Sequence, residues 1–229
     1  MARTVTPIMA DAVGGTALLR LLAALSPAFP TGGFSYSHGL ERAAHDRLVV
    51  DEASLLAWLE TILAHGSLWS DAVLAAAAWR AEDTELAAVV ELALALAGSR
   101  ERLLETTQQG DAFGRAQSET WPAPANLAPA DLPYPIAVGR FAARASVPLQ
   151  PFLAAYLQAA LTNLVQAALR LAPIGQGAGL RVLAALEPLI LETAGRASRS
   201  TLDDLGSAAV MSDIAAMRHE TQYSRIFRS

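Results

Sequence analysis

Residues 51–66 read Asp-Glu-Ala-Ser-Leu-Leu-Ala-Trp-Leu-Glu-Thr-Ile-Leu-Ala-His-Gly, and this stretch indicates the fold class. Asp51 can cap the start of a helix here, and Gly66 can end it after His65. The large apolar side chains recur at helical spacing and form one wide stripe, which consists of Leu55, Leu56, Trp58, Leu59, Ile62 and Leu63. The stretch therefore predicts an amphipathic helix that packs against other helices.

The composition of the 229-residue chain extends this prediction to the whole protein. Of its residues 53% are apolar, and Ala (49) and Leu (35) outnumber Val plus Ile (19) more than fourfold. Ala and Leu favour helices, whereas β-branched residues favour strands. We therefore expect an all-α protein, a compact bundle of roughly ten short helices, and not a sandwich or barrel.

Apolar periodicity and helix-ending residues predict the other elements. Helices are expected over about 16–25, 68–81, 85–97, 99–117, 132–145, 151–171 (ended by Pro173) and 178–193 (kinked near Pro188), and a last helix begins near Thr201. Residues 1–15 show no periodicity and are expected to be a loose leader. Five of the twelve prolines lie in 121–135 and interrupt the helices. Because neither half looks self-sufficient, residues 16–229 are expected to form a single domain.

Two residue types that the sequence lacks exclude several kinds of chemistry. The chain has no Cys and no Lys, since all 17 basic residues are Arg. It therefore has no thiolate nucleophile, Cys-ligated zinc, P-loop lysine or Schiff-base lysine. The net charge of −5 does not support nucleic-acid binding, and a Cys-free chain is compatible with the cytoplasm. The apolar run 86–97 is too short to span a membrane, and Arg20 interrupts the only run that resembles a signal peptide.

Two glycine-containing motifs resemble known active-site motifs only superficially. Gly175-Gln-Gly-Ala-Gly179 follows a helix and not a strand, so it predicts a helix–helix turn instead of a dinucleotide site. Residues 32–39 lack the glycine that a nucleophile elbow needs two positions before Ser37. They predict a tight turn in which Ser35 or Ser37 caps the next helix.

Three potential metal ligands, His38, Glu41 and His45, are spaced at i, i+3 and i+7. On a helix they would share one face, where they could hold a divalent ion as in a small metal-dependent hydrolase. The two histidines would lie about 10 Å apart along the axis, so an ordinary helix surface is the simpler interpretation. Glu105 and Asp111 are likewise interpreted as a solvated or interface face. We therefore predict no catalytic residue, metal site or cofactor.

The tail 217–229, Met-Arg-His-Glu-Thr-Gln-Tyr-Ser-Arg-Ile-Phe-Arg-Ser, gives the strongest indication of binding. Its arginines alternate with Met217, Tyr223, Ile226 and Phe227. Tyr, Phe and Arg are favoured in the cores of protein interfaces. The composition leaves open whether the tail docks on a partner or folds back onto its own bundle.

Several segments together resemble the UreF family of urease accessory proteins. The two long and specific segments are 26–41 (SPAFPTGGFSYSHGLE) and 217–229, and the shorter ones are 105–113, 134–139, 163–170 and 173–176. The resemblance covers about Leu18 to the last residue. It implies an all-α cytoplasmic protein that is not an enzyme and that acts in urease maturation.

The resemblance also implies partners. Proteins of this family bind UreD (UreH in some organisms), form a homodimer in that complex and recruit the nickel-binding GTPase UreG. The assembly docks on apo-urease, where GTP hydrolysis is coupled to nickel delivery and to carbamylation of the active-site lysine. UreF is expected to regulate this hydrolysis and to help form a passage for nickel. A strict GTPase activator that supplies an arginine finger is the alternative.

The resemblance places partner-binding residues in both long motifs. They are Pro30, Gly32, Gly33, Phe34, Ser35, Tyr36, His38 and Glu41 in the loop, and Arg218, His219, Glu220, Gln222, Tyr223, Arg225, Phe227 and Arg228 in the tail. We expect the tail, with the last helix before it, to order on binding UreD, and the loop to face the dimer interface and UreG. Tyr36→Ala and Glu41→Ala are expected to weaken UreG recruitment and to leave the fold intact.

Overall fold

The computed structural model describes residues 13–122, 132–171 and 174–229. Within these ranges it contains ten α-helices and no strand, which confirms the predicted all-α fold. They are α1 (Gly15–Ala24), α2 (Leu40–His45), α3 (Glu52–His65), α4 (Ser67–Arg80), α5 (Leu86–Ala95), α6 (Arg100–Thr120), α7 (Tyr134–Arg144), α8 (Leu149–Leu171), α9 (Gln176–Ala197) and α10 (Val210–His219). Three of them are not short, because α6, α8 and α9 have 21, 23 and 22 residues.

Helix α3 forms where the sequence predicts it. The Asp51 carboxylate accepts the backbone N–H of Ser54 at 2.9 Å, and the Ser54 hydroxyl accepts the N–H of Asp51 at 3.0 Å. His65 is the last residue of the helix, and Gly66 follows it. The innermost side chains of the apolar stripe, Leu55, Leu59, Ile62 and Leu63, are fully buried, whereas Leu56 and Trp58 lie at its half-buried edge.

Helix α4 lies at the centre of the bundle and packs on α3, α5, α7, α8 and α9. It buries nine of its 14 residues, and four of these nine are alanines. The approach to α7 is especially close, because a Cβ on Gly139 would lie 2.5 Å from the carbonyl oxygen of Ala75. Small residues on both helices therefore set the distance between them.

Helices α8 and α9 pack on each other, but the turn predicted at Gly175–Gly179 is wrong, because α9 already begins at Gln176. Gly175 is the N-cap of α9, and a Cβ on Gly179 would lie 2.9 Å from Cγ1 of Val165 on α8. Pro188 lies inside α9, which continues to Ala197. Pro173, the predicted end of α8, falls outside the described residues.

Helix α8 is longer than the apolar run 86–97, which is too short to span a membrane. It is the one helix of the described ranges whose length and mean hydropathy (1.4 over an 18-residue window) would allow it to cross a membrane. Half of that window is buried inside the bundle, where Phe152, Leu153, Leu157 and Leu161 belong to the core. This pattern is typical of a core helix as well as of a span.

An aromatic cluster attaches the segment before the glycine-rich loop to the bundle. The Phe113 ring of α6 lies 5.1 Å from the Phe29 ring and 5.7 Å from the Phe141 ring of α7. Trp121 stacks on Phe29 at a centroid distance of 5.9 Å. These contacts position the loop over α6. In the proline-rich interruption that follows Trp121, residues 123–131 lie outside the described residues.

Two predictions about element boundaries need correction. Thr201 caps only a 3-10 turn, Leu202–Asp204, and the last helix begins at Val210. The indole N–H of Trp69 donates to the carbonyl of Asp204 at 2.9 Å, which holds this segment against α4 in place of a longer helix. The predicted leader, 1–15, overlaps the first helix by one residue, because α1 begins at Gly15. Residues 1–12 of that leader lie outside the described residues.

Candidate functional site

The two segments that the sequence assigns to partner binding, 30–41 and 217–229, lie side by side. The backbone N–H of Ser37 donates to the carbonyl of Ser229 at 2.8 Å, and the Ser37 hydroxyl donates to the same oxygen. These two residues are 192 positions apart in the sequence. We refer to residues 30–41 and 217–229 together as the loop–tail surface.

Glu41 attaches the tail to the bundle. Its carboxylate accepts the backbone N–H groups of Ile226 at 2.7 Å and Phe227 at 2.8 Å. The Nε2 atom of His219 lies 3.1 Å from Glu41, and its Nδ1 atom lies 2.7 Å from Glu101 of α6. All three side chains are buried, and His219 has no exposed surface. Removal of one partner would leave a buried polar group without its hydrogen bond, which costs about 1–3 kcal/mol.

Arg225 extends this network, because its Nη1 atom donates to Glu101 at 2.6 Å. The sequence assigns Glu41, His219 and Arg225 to contacts with partners. In the structure these side chains bind one another and hold the tail, and of the three only Arg225 is substantially exposed.

A second cluster of buried polar side chains lies beneath the loop, around Glu105 of α6. Glu105 contacts Nε2 of His38 at 2.7 Å and Nη1 of Arg102 at 3.2 Å, and the Gln109 amide donates to it at 2.9 Å. Arg102 also contacts Asp71 of α4 at 2.5 Å. The interpretation of Glu105 as part of a solvated face is wrong, because Glu105 is only 1% exposed.

Burial and charge act in opposite directions on this cluster. Burial alone would raise the pKa of Glu105, but the charges of His38 and Arg102 outweigh it and hold the pKa at about 2. Burial alone would lower the pKa of Arg102, but Asp71 and Glu105 raise it. Burial raises the pKa of Tyr156, whose hydroxyl donates to Asp71 at 3.3 Å. Glu105 and Arg102 therefore stay charged at neutral pH inside the protein.

His38 reaches this cluster because the chain turns sharply before α2. His38 and Gly39 have positive φ angles of 51° and 76°. A Cβ on Gly39 would lie 2.7 Å from the backbone nitrogen of Ala216 in α10, so only glycine fits there. The N-cap of α2 is Gly39 instead of the predicted Ser35 or Ser37, although the Ser37 hydroxyl accepts the N–H of Glu41 in the first turn at 3.2 Å.

The three residues of the metal-site alternative, His38, Glu41 and His45, do not come together in the structure. His38 lies before α2 and faces Glu105, whereas Glu41 faces the tail. His45 is exposed, and its ring contacts Asp46 at 3.2 Å. In the part of the chain that the structure describes, no group of three His, Cys, Asp or Glu side chains is placed to hold a metal ion.

Two residues of α8 that had no predicted role support the loop. Asn163 donates to the carbonyl of Gly33 at 2.8 Å, and Arg170 donates to the carbonyl of Phe34 at 2.6 Å. The Arg170 guanidinium also lies 4.1 Å from the ring centroid of Phe227, a cation–π contact that joins α8 to the tail. Both residues fall in one of the short family-like motifs, and that was the only signal in the sequence.

Exposure divides the predicted contact residues into three groups. Four are buried, namely Tyr36, Glu41, His219 and Phe227. Six are exposed, namely Pro30, Phe34, Arg218, Tyr223, Arg225 and Arg228. Six are half-buried, namely Gly32, Gly33, Ser35, His38, Glu220 and Gln222. The tail therefore folds back onto its own bundle through Phe227, while Tyr223 and Ile226 remain exposed to solvent.

The cluster around Glu105 lies between two cavities. One, of about 120 Å³, is bounded by α4, α6 and α10, and the other, of about 870 Å³, lies between α1, the loop and α8. Four residues line both cavities, namely His38, Asp71, Arg102 and Glu105. These buried side chains are thus the boundary that the two cavities share.

Comparison with known proteins agrees with the family resemblance. The sequence model of the UreF family matches residues 49–187. The urease accessory protein UreF of Brucella ovis is 54% identical over 228 residues, which cover 98% of this chain and 99% of that protein. The proteins of the same name from Mesorhizobium japonicum and Agrobacterium fabrum are 56% and 55% identical over 225 and 219 residues (96% and 94% of this chain, 100% and 98% of theirs). An all-α chain with these matches over nearly its full length belongs to the UreF family of urease accessory proteins, which act in urease maturation.

Proposed function

We propose that this chain is a non-catalytic scaffold for urease maturation in the cytoplasm. Its residues 16–229 act as one domain that binds UreD (UreH), dimerises in that complex and recruits the GTPase UreG for nickel delivery to apo-urease. The loop–tail surface carries this proposal: Phe34, Tyr223, Ile226 and Arg228 are exposed on segments that buried contacts hold in place. A rigid surface rich in aromatic and Arg side chains suits protein binding.

Within this surface we assign the exposed tail residues Tyr223 and Ile226 to UreD, and the loop, with the adjoining end of the tail at Arg228, to UreG and the dimer contact. Tyr223 is fully exposed and Ile226 is 65% exposed, which leaves apolar area for a partner to cover. Phe34 is 68% exposed on the loop side. The tail is already packed on the bundle in the single chain, so UreD would meet an ordered surface instead of ordering the whole tail.

The Glu105 cluster supports a part in the passage of nickel. A nickel cation that crosses from one cavity to the other would meet the carboxylates of Asp71 and Glu105 and the ring of His38, with one opposing charge on Arg102. These side chains are already paired with one another and with Arg102, and they form no group placed to hold a metal ion, so the cluster would attract a passing cation without storing it. The Lys-free and Cys-free composition leaves P-loop chemistry to the GTPase partner.

Light scattering on a sizing column tests the scaffold function. This chain, co-expressed with the UreD and UreG of its organism, is expected to form a complex with two copies of each protein. Tyr223→Ala combined with Ile226→Ser should remove UreD from the complex, whereas Leu191→Ser, at a 60% exposed site on α9, should not. If no complex forms between the folded wild-type proteins, the proposed function fails.

UreG turnover separates regulation from strict activation. The proposed scaffold restrains GTP hydrolysis until apo-urease is added, whereas a strict activator accelerates it in the absence of urease through an arginine finger, by about 10³-fold or more. Tyr36→Ala and Glu41→Ala are poor probes of UreG recruitment, because both side chains are buried and Glu41 holds the tail. Phe34→Ser changes the exposed part of the loop instead.

A further inference from the structure

An open groove of about 440 Å³ runs between the loop and α6 beside the end of the tail. Gln108, Asp111 and Arg115 line it at positions that share one face of α6. Phe34 and Arg228 line it from the loop and the tail. The groove thus contains two arginines, Arg115 and Arg228, and a role in stabilising the fold does not explain them.

Both arginines are exposed and lack an acidic partner. Over residues 13–122, 132–171 and 174–229, no carboxylate lies within 4.0 Å of the guanidinium of Arg115 or Arg228. The Arg228 guanidinium donates to the amide oxygen of Gln108 at 3.3 Å and lies beside the Tyr36 hydroxyl, and neither of these groups is a carboxylate. Asp111 lies one helical turn from Arg115 without reaching it. The groove therefore carries one net positive charge on a chain whose net charge is −5.

The positive groove is held in a fixed shape. The backbone N–H of Arg228 donates to the carbonyl of Ser35 at 2.7 Å. The buried Tyr36 hydroxyl donates to Gln108 at 2.8 Å, which fixes the amide that Arg228 contacts. Two guanidinium groups on a preorganised wall bind carboxylates well, because the guanidinium fork matches a carboxylate and little ordering is required on binding.

We propose that this groove binds an acidic segment of the protein partner. A partner carboxylate lies between Arg115 and Arg228, and an adjacent apolar side chain packs on Phe34. A protein segment fits better than a free phosphate, because the lining extends over about two turns of α6, from Gln108 to Arg115, and includes the ring of Phe34, a residue that is 68% exposed. This inference rests on the proposed function, in which the loop side docks UreG, and it specifies the chemistry of that contact.

Zero-length crosslinking tests the contact, because the wild-type chain has no Lys. Arg115→Lys and Arg228→Lys each place the only side-chain amine of the chain in the groove and keep the positive charge. Carbodiimide couples an amine to a carboxylate that touches it. In the complex with UreD and UreG we expect mass spectrometry to find each new lysine joined to an Asp or Glu of UreG. Arg199→Lys, on an exposed residue after α9, is the matched control and should give no such product.

The outcomes separate this inference from the proposed function. Arg115→Gln combined with Arg228→Gln should weaken UreG binding about tenfold and reduce its dependence on salt, with the UreD complex intact. If UreG binds this variant as tightly as the wild type, or if the new lysines join only Asp111 or a second copy of this chain, the inference is wrong although the scaffold function stands. If inorganic phosphate at matched ionic strength displaces UreG as effectively as added polyglutamate does, the groove binds anions in general, and the inference is also wrong. If the wild-type chain recruits no UreG at all, the proposed function itself fails.

Discussion

Individual buried charges distinguish this protein from a plain apolar bundle. Glu41, Glu101 and Glu105 are each less than 10% exposed, and each binds at least one His or Arg side chain. Buried carboxylates need such partners, because an unpaired charge in the interior is unfavourable. At this scale the contacts that hold the tail and the loop are specific ion pairs and hydrogen bonds.

Glu105→Gln should change the dependence of stability on pH. The pKa of Glu105 in the folded protein is about 2, below its ordinary value of 4.5. Its charge therefore stabilises the fold above pH 4.5, by up to about 3 kcal/mol, and this contribution is lost as the pH falls through about 2. Urea unfolding should show the variant less stable than the wild type at neutral pH, with the difference shrinking between pH 4.5 and 2.

Asp203→Asn, at an exposed carboxylate in the 3-10 turn, is the control for this titration. It should leave the acid limb of the stability curve as it is in the wild type. A constant difference between Glu105→Gln and the wild type over the whole acid range would show that Glu105 has an ordinary pKa.

At the scale of elements, small residues allow the central helices to approach closely. Helix α4 contributes four buried alanines, and α7 contributes Gly139 at the point of contact. Large side chains at these positions would force the two axes apart. Part of the abundant Ala in the composition is thus used for close packing at helix–helix contacts.

Gly139→Ala should destabilise the α4–α7 contact. In a free helix this substitution stabilises by about 1 kcal/mol. Here the new methyl group would lie 2.5 Å from the carbonyl oxygen of Ala75, which is backbone and cannot rotate away. We therefore expect a net loss of about 1–3 kcal/mol in the free energy of unfolding, measured by urea titration.

Gly195→Ala in α9 is the matched control for this substitution. A methyl group there would meet only the flexible ends of Gln150 at 3.5 Å and Arg199 at 3.8 Å, so the variant should be as stable as the wild type or more stable. Equal stability gains for the two variants would contradict the close approach of α4 and α7.

At the scale of the whole molecule, the tail joins parts of the bundle that are remote in sequence. It contacts α2 through Glu41, α6 through Glu101 and α8 through Arg170. The Phe227 side chain is part of the main apolar core. The tail is therefore part of the fold as well as a candidate docking surface.

Truncation after residue 216 should lower the stability of the entire protein. It removes His219, Arg225 and Phe227, and it leaves Glu41 and Glu101 without their partners. A loss of about 3–5 kcal/mol is expected from the ionic contacts, with a lower Tm in calorimetry. Tyr223→Ala with Ile226→Ser should stay within about 0.5 kcal/mol of the wild type, because both side chains are exposed.

An unchanged Tm after truncation would mean that the tail does not contribute to the folded bundle. The same comparison decides how partner binding is tested. If the truncated chain fails to bind UreD, the result is ambiguous, because an unfolded chain would fail in the same way. The doubly substituted chain keeps the buried half of the tail. Only the second variant isolates the exposed surface.

Local patterns of the sequence were enough for the class of fold, most of the helices and the family. Helix propensity, apolar spacing and caps such as Asp51 act over a few residues, so they can be read along the chain. The long motifs at 26–41 and 217–229 indicated the family, and the resemblance, together with the aromatic and Arg composition of the tail, indicated binding. Only the tertiary structure decided which of their residues face inward: Glu105 and Glu41 are buried because His38, Arg102 and the tail reach them from distant elements. Such pairs depend on how the helices cross, and no periodicity along the chain encodes that.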